Sequence, residues 1–206
     1  MLKNDKVVLR MKDWIGNGKS VFVCNGASNH SDEEREKDDY YATEPKATYK
    51  LCEVEKFTPT VWECACGDGQ MVKVLKEMGY EVVASDIVDR GCPNTTIADF
   101  LKTVTNHNLD IITNPLYKYA KEFVEHALDI SAVGNKVAMF LKLTFLESKS
   151  RKALFEKYPP KKVWVFSERV QCGKNGNFEK NNNTAVAYAW FIWEKGYKGE
   201  TTIGWI

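Results

Sequence analysis

The 206 residues suffice for one domain with a sizeable core, and 44% hydrophobic with 28% charged content excludes a wholly disordered chain. No apolar run approaches the roughly 18 residues of a membrane span, and the opening MLKNDKVVLRMKDW lacks the apolar centre of a signal peptide. A net charge of +1 provides no bulk attraction to a polyanion.

A cytoplasmic setting is therefore expected, and the cysteines agree with it. Cys24, Cys52, Cys64, Cys66, Cys92 and Cys172 are scattered, and several sit in apolar contexts where a reduced thiol behaves as a small hydrophobe. Cys64 and Cys66 form a CxC, but neither a second close pair nor a histidine cluster completes a zinc site. No metal is expected.

In chain order, residues 1–38 form an N-terminal arm with weak signals that runs into the acidic stretch SDEEREKDD. GNGKS, near Gly16, resembles part of a phosphate-binding loop, but Asp13 stands where that pattern needs its first glycine. From Pro45 or Lys46 a helix begins with PKATYKLCEVE. TVWECAC reads as a strand, and Gln70 to Met78 as a helix stopped by Gly79. EVVASD and TTIADF are further strands, and LDIIT another, followed by a helix from about Lys118 to Ile130. NKVAMFLKL is a strand, Glu147 to Tyr158 a helix ended by Pro159 and Pro160, and KVWVF and TAVAYAWFIW close the series. Strands that alternate with helices predict a mostly parallel sheet covered on both faces. One single domain is expected: a core over 39–166, a polar Gly/Asn-rich excursion over 167–183, and a terminal strand and tail over 184–206. A loop of that length is usually functional or disordered, and if functional it is a candidate substrate loop. From Glu147 to Lys180 nine Lys or Arg face four Glu, enough for a modest phosphate-facing surface or an ordinary solvated face.

VWECACGDGQ carries the first chemical signal. A strand delivers Glu63, and Gly67 and Gly69 let a ligand approach the backbone before the next helix starts. The dinucleotide fingerprint would need glycine at position 72, where Val72 stands, which disfavours a nicotinamide oxidoreductase. Asp86 ends the following strand, where its carboxylate could accept from both ribose hydroxyls of an adenosyl group. Asp99 and Phe100 follow the next strand and could bond and pack an adenine. Three acidic strand ends in succession point to an adenosyl cofactor.

DIITNPLYKYAKEF carries the second. A buried strand ends in Asn114, Pro115, Leu116 and Tyr117. Asn-Pro also punctuates ordinary turns. With the glycine loop and the carboxylates upstream, however, the chain resembles the S-adenosylmethionine-dependent methyltransferases. Among them it is similar to the nucleic-acid amino-methyltransferases with an Asn-Pro-Pro-Tyr motif, including small phage and prophage proteins.

The resemblance implies a Rossmann-like methyltransferase fold with a seven-stranded sheet whose last strand is antiparallel. It implies S-adenosyl-L-methionine as cofactor, contacted by Tyr41 and Thr43 of YATEP, by Glu63, Ala65, Gly67 and Gly69, by Asp86 with its neighbour Ile87, and by Asp99 and Phe100. It implies catalysis by Asn114, Pro115 and Tyr117. In that chemistry the carbonyls of Asn114 and Pro115 accept from an exocyclic amine, and Tyr117 stacks on a flipped-out base. Leu116 departs from the motif's second proline, which puts loop rigidity in question. The implied acceptor is N6 of adenine, in DNA before RNA. RNA, a protein side-chain amide, or a cofactor-binding protein impaired in catalysis are the alternatives.

Overall fold

The apolar runs named above assemble into one twisted sheet. The computed structural model describes residues 40–104, 108–174 and 186–206, so the arm over 1–38 and the excursion from 175 onward lie outside the described residues. The elements are β1 (Tyr41–Thr43), α1 (Pro45–Val54), β2 (Thr60–Glu63), α2 (Gln70–Glu77), β3 (Glu81–Asp86), β4 (Thr96–Ile97) and β5 (Asp110–Thr113). They continue with α3 (Ala120–Ile130), β6 (Lys136–Lys142), α4 (Lys149–Lys157), β7 (Lys162–Val165), β8 (Cys172–Lys174), β9 (Tyr188–Glu194) and β10 (Thr202–Trp205). Short 3-10 turns follow β4, β5 and β6.

The main sheet has eight strands in the order β10-β7-β9-β6-β5-β2-β3-β4. β9 runs antiparallel to both β6 and β7, and the remaining neighbours are parallel. All seven expected strands are present, with TAVAYAWFIW supplying the antiparallel one. The eighth is β10, which docks beside β7 from the tail. Gly204 makes that possible: a Cβ there would stand 2.3 Å from the Trp164 ring. β1 and β8 form a separate antiparallel pair.

Period-two burial explains the layering. In β6, Val137, Met139 and Leu141 face one cluster with Phe123, Val124 and Leu128 of α3. Ala138 and Phe140 face the other, with Leu51 of α1 and Met71 and Leu75 of α2. β9 is buried on both faces, and each large side chain it removes from water contributes about 1.5–3 kcal/mol. Its indoles remain satisfied, because Trp190 donates to the Ala47 carbonyl at 2.8 Å and Trp193 to that of Tyr158 at 3.0 Å.

Asp110 fixes the start of β5. Its buried carboxylate accepts from the amides of Thr58 at 2.8 Å and Lys136 at 2.7 Å and from the Asn135 side chain at 3.2 Å. The pins hold β5 between β2 and β6 and bring the carboxyl ends of β2, β3 and β5 together.

Candidate active site

The glycine loop begins where β2 stops. Gly67 and Gly69 take φ of +55° and +89°, and Gly69 starts α2. Other residues are strained there. The Gly67 amide donates to Asp86 Oδ2 at 2.8 Å, and the Val88 amide to Oδ1 at 3.0 Å. Asp86 is thus buried and ties the loop after β2 to the loop after β3. Each carboxylate oxygen keeps a second lone pair for a ligand.

Glu63 is buried at 1% exposure. Its Oε1 accepts from the Ala65 amide at 3.1 Å and from the Thr113 hydroxyl at 2.6 Å, while Oε2 is buried without a partner. Burial pushes its carboxyl up to about 8, and the two bonds offset only part of that rise.

Asn114 follows β5 directly. Its Nδ2 donates to the Tyr41 carbonyl at 2.9 Å and to Thr43 Oγ1 at 3.0 Å. A backbone carbonyl only accepts, so the amide's orientation is fixed by its partners. Oδ1 is left buried and unpartnered. Unpaired buried acceptors are rare in folded proteins, and those that occur ask for a reason. Tyr41, Thr43, Glu63, Ala65 and Asn114 together line one small cavity of about 20 Å³, along with Tyr40, which sequence reasoning passed over.

Tyr40 lines this cavity beside the glycine loop. Its hydroxyl donates to Asp68 Oδ1 at 2.5 Å and its ring lies against Gly67, where a Cβ would stand 2.0 Å away. A nucleoside-sized ligand needs roughly 300 Å³ or more, so the site has to widen for one to enter, and Tyr40 is the ring that lies against the glycine loop. The donor set otherwise suits an adenosyl amino acid: a glycine loop at a strand end, an orphaned carboxyl oxygen, and a buried carboxylate at the next strand end.

Other expected residues fall elsewhere. Phe100 packs in the core: it is 3% exposed, with its ring 5.2 Å from Trp62 and 4.9 Å from Phe123. Asp99 accepts from the Leu101 amide at 3.1 Å and pairs with Lys102 at 3.1 Å, so it caps its own turn. Ile87 is 49% exposed beside Asp86. Pro115 is buried. Tyr117 does not offer an open face for a base. Its ring centre stands 6.5 Å from that of Tyr41 and 6.1 Å from that of Tyr188, with the Lys142 ammonium 5.2 Å above it.

No family model and no curated protein matches the chain. Solved structures do. A protein described as a class I S-adenosylmethionine-dependent methyltransferase from Listeria monocytogenes superposes with a TM-score of 0.53 at 12% identity, covering 77% of this chain and 62% of its own. A modification subunit of a type I restriction enzyme from Vibrio vulnificus gives 0.57 at 13%, covering 91% and 50%. An O-methyltransferase from Thermotoga maritima gives 0.53 at 13%, covering 87% and 72%. The fold is the methyltransferase fold. The chain spans about half the length of the Vibrio subunit and less than two thirds of the Listeria protein. Identities this low establish the architecture and leave the chemistry of this methyltransferase fold to its own residues.

Proposed function

We propose that the chain is an S-adenosylmethionine-dependent methyltransferase acting on an exocyclic amine, N6 of adenine in DNA. The observation that carries this reading is the Asn114 amide, whose donor is used up by Tyr41 and Thr43 while its acceptor is buried with nothing to accept.

The amine of adenine is a poor nucleophile because its lone pair is delocalised into the ring. Asn114 Oδ1 accepts from that amine and favours the pyramidal nitrogen that reacts, and the bond strengthens as positive charge develops. The Pro115 carbonyl is the second acceptor, aimed by the fixed φ of its ring. Gly67, Gly69, Glu63 and Asp86 hold the cofactor, which supplies an electrophilic methyl on a sulfonium. Holding donor and acceptor in line supplies much of the acceleration.

DNA is favoured by where the chain carries basic residues after the strands of the site. Lys118 follows β5, Lys142 ends β6, and Lys149, Arg151 and Lys152 begin α4, positive charge of the kind that meets phosphates. The description of the Vibrio neighbour as a restriction-enzyme modification subunit points the same way.

Two measurements test the proposal. Calorimetric titration with S-adenosylhomocysteine and with NAD is expected to show binding of the first alone. Tritiated cofactor incubated with adenine-containing DNA, RNA and glutamine-bearing peptide is expected to label DNA. Label in RNA or peptide only, or in none, overturns the acceptor assignment.

A further inference from the structure

The motif Asn114 to Tyr117 has a weak point at its third residue. Leu116 holds φ at −54°, inside the range a proline ring would enforce, with no ring to enforce it. Something outside the motif must keep the turn in shape.

The two-stranded sheet does so at both ends. In the β1–β8 register Thr43 stands directly opposite Cys172. Opposed residues of an antiparallel pair project to the same side. Thr43 Oγ1 accepts from Asn114 Nδ2 at 3.0 Å, and the Cys172 thiol is hydrogen-bonded to the Tyr117 hydroxyl at 3.2 Å. One cross-strand pair therefore grips the first and last residues of the motif. The β1–β8 pair is itself clamped at its base, where the Gln171 amide donates to Glu44 Oε2 at 2.8 Å and the Glu44 amide to the Gln171 carbonyl at 3.2 Å. Tyr188 packs against Tyr117, and its ring is 5.0 Å from that of Phe140 in the core, so the grip is anchored to β6 and β9. Cys172 is 7% exposed, and burial pushes its thiol up to about 11, so it stays a neutral hydrogen-bonding group at ordinary pH.

We propose that Cys172 is a positioning residue which, with Thr43 opposite it, holds the Asn114–Tyr117 turn in the shape its reaction requires. The proposal rests on Asn114 being the hydrogen-bond acceptor for the reacting amine, but the grip itself is testable without any turnover.

Hydrogen–deuterium exchange of the peptide spanning 114–119 reads the grip directly. Loss of one buried hydrogen bond in Cys172→Ala is expected to raise exchange in that peptide about 3- to 10-fold while β2 and β6 keep their protection. Cys172→Ser, which keeps a hydroxyl for Tyr117, is expected to restore most of the protection. Thr43→Val is expected to give the same rise from the other end, and Leu116→Pro in the Cys172→Ala background to reverse it. In turnover, Cys172→Ala is expected to lower kcat with KM for the cofactor unchanged. Unchanged exchange at 114–119, or a rise shared equally by β2 and β6, overturns the proposal. If exchange behaves as expected and wild type transfers no methyl group, the functional reading fails and the grip stands.

Discussion

Thr113 donates its hydroxyl to Glu63 at 2.6 Å, joining the strand that ends in Asn114 to the strand that opens into the glycine loop. The bond joins β2 to β5 beside the cavity, so the glycine-loop side and the Asn114 side share one buried carboxyl.

Glu63 should make stability depend on pH. Its carboxyl is raised from 4.5 to about 8, chiefly by burial, with the Asp86 charge adding to the rise. Between those values the folded protein holds a proton that the unfolded chain has released. Stability is therefore expected to fall as pH rises through that window and to level off above it. Urea midpoints of wild type from pH 5 to 8 measure the slope. Glu63→Gln keeps an acceptor for Thr113 and Ala65 and is expected to flatten it. Equal slopes in the two proteins would remove Glu63 as its source.

Asn114→Ala is expected to have two separable effects. The loss of two donated hydrogen bonds should lower stability by roughly 1–3 kcal/mol, read from denaturant midpoints. Loss of the acceptor should depress turnover per folded molecule about 10²- to 10³-fold, with affinity for S-adenosylhomocysteine nearly unchanged. A variant that is less stable yet fully active would make Asn114 a structural residue only.

Asp86 serves the loop as well as the proposed ligand. Asp86→Ala removes the acceptor of the Gly67 and Val88 amides and should weaken S-adenosylhomocysteine by about 1.5–3 kcal/mol, measured by calorimetry. Asp86→Asn, which retains one acceptor oxygen, should fall between that variant and wild type. Wild-type affinity in Asp86→Ala would take it out of the site.

Gly67 and Tyr40 form a coupled pair. Gly67→Ala meets both a left-handed φ and the Tyr40 ring, and the backbone part alone should cost about 1–2 kcal/mol. Tyr40→Ala should relieve the remainder, so a double-mutant cycle on stability is expected to show a positive coupling. Tyr40→Phe, which loses the bond to Asp68, should speed association of S-adenosylhomocysteine in stopped flow. Additive stabilities and an unchanged association rate would mean that the ring does not guard the loop.

Residues with one dominant physical reason to be where they are were legible in the sequence. Six of the seven expected strands announced themselves by apolar runs, the edge strand β4 by its place in the alternation, and Gly67, Gly69 and Asp86 by their places at strand ends. β10 did not, because TTIGWI is short and its fit depends on a glycine that makes room for Trp164, a contact from 40 residues earlier. Phe100 was read as a ligand contact on account of its neighbour Asp99. An apolar ring beside an acidic strand end satisfies a core and a cofactor equally well, and here Trp62 and Phe123 claim it. Asn114 was legible as chemistry but not as architecture, since its partners Tyr41 and Thr43 lie over 70 residues upstream. Cys172 carried no signal at all in a polar stretch, and only the register of β1 with β8 gives it a place.

The position of β9 bears on how the chain is made. β7 leaves the ribosome before β9, yet among the described residues it pairs only with β9 and β10. Until residue 194 has emerged, the outer edge of β6 has no neighbour and KVWV has no sheet to join. A nascent chain is thus exposed along an apolar edge for the whole passage from β6 to β9, the condition in which strands find partners in other molecules. The sheet is complete only once β9 lies between two strands synthesised before it, and a chain halted earlier would carry a complete glycine loop on an unfinished sheet.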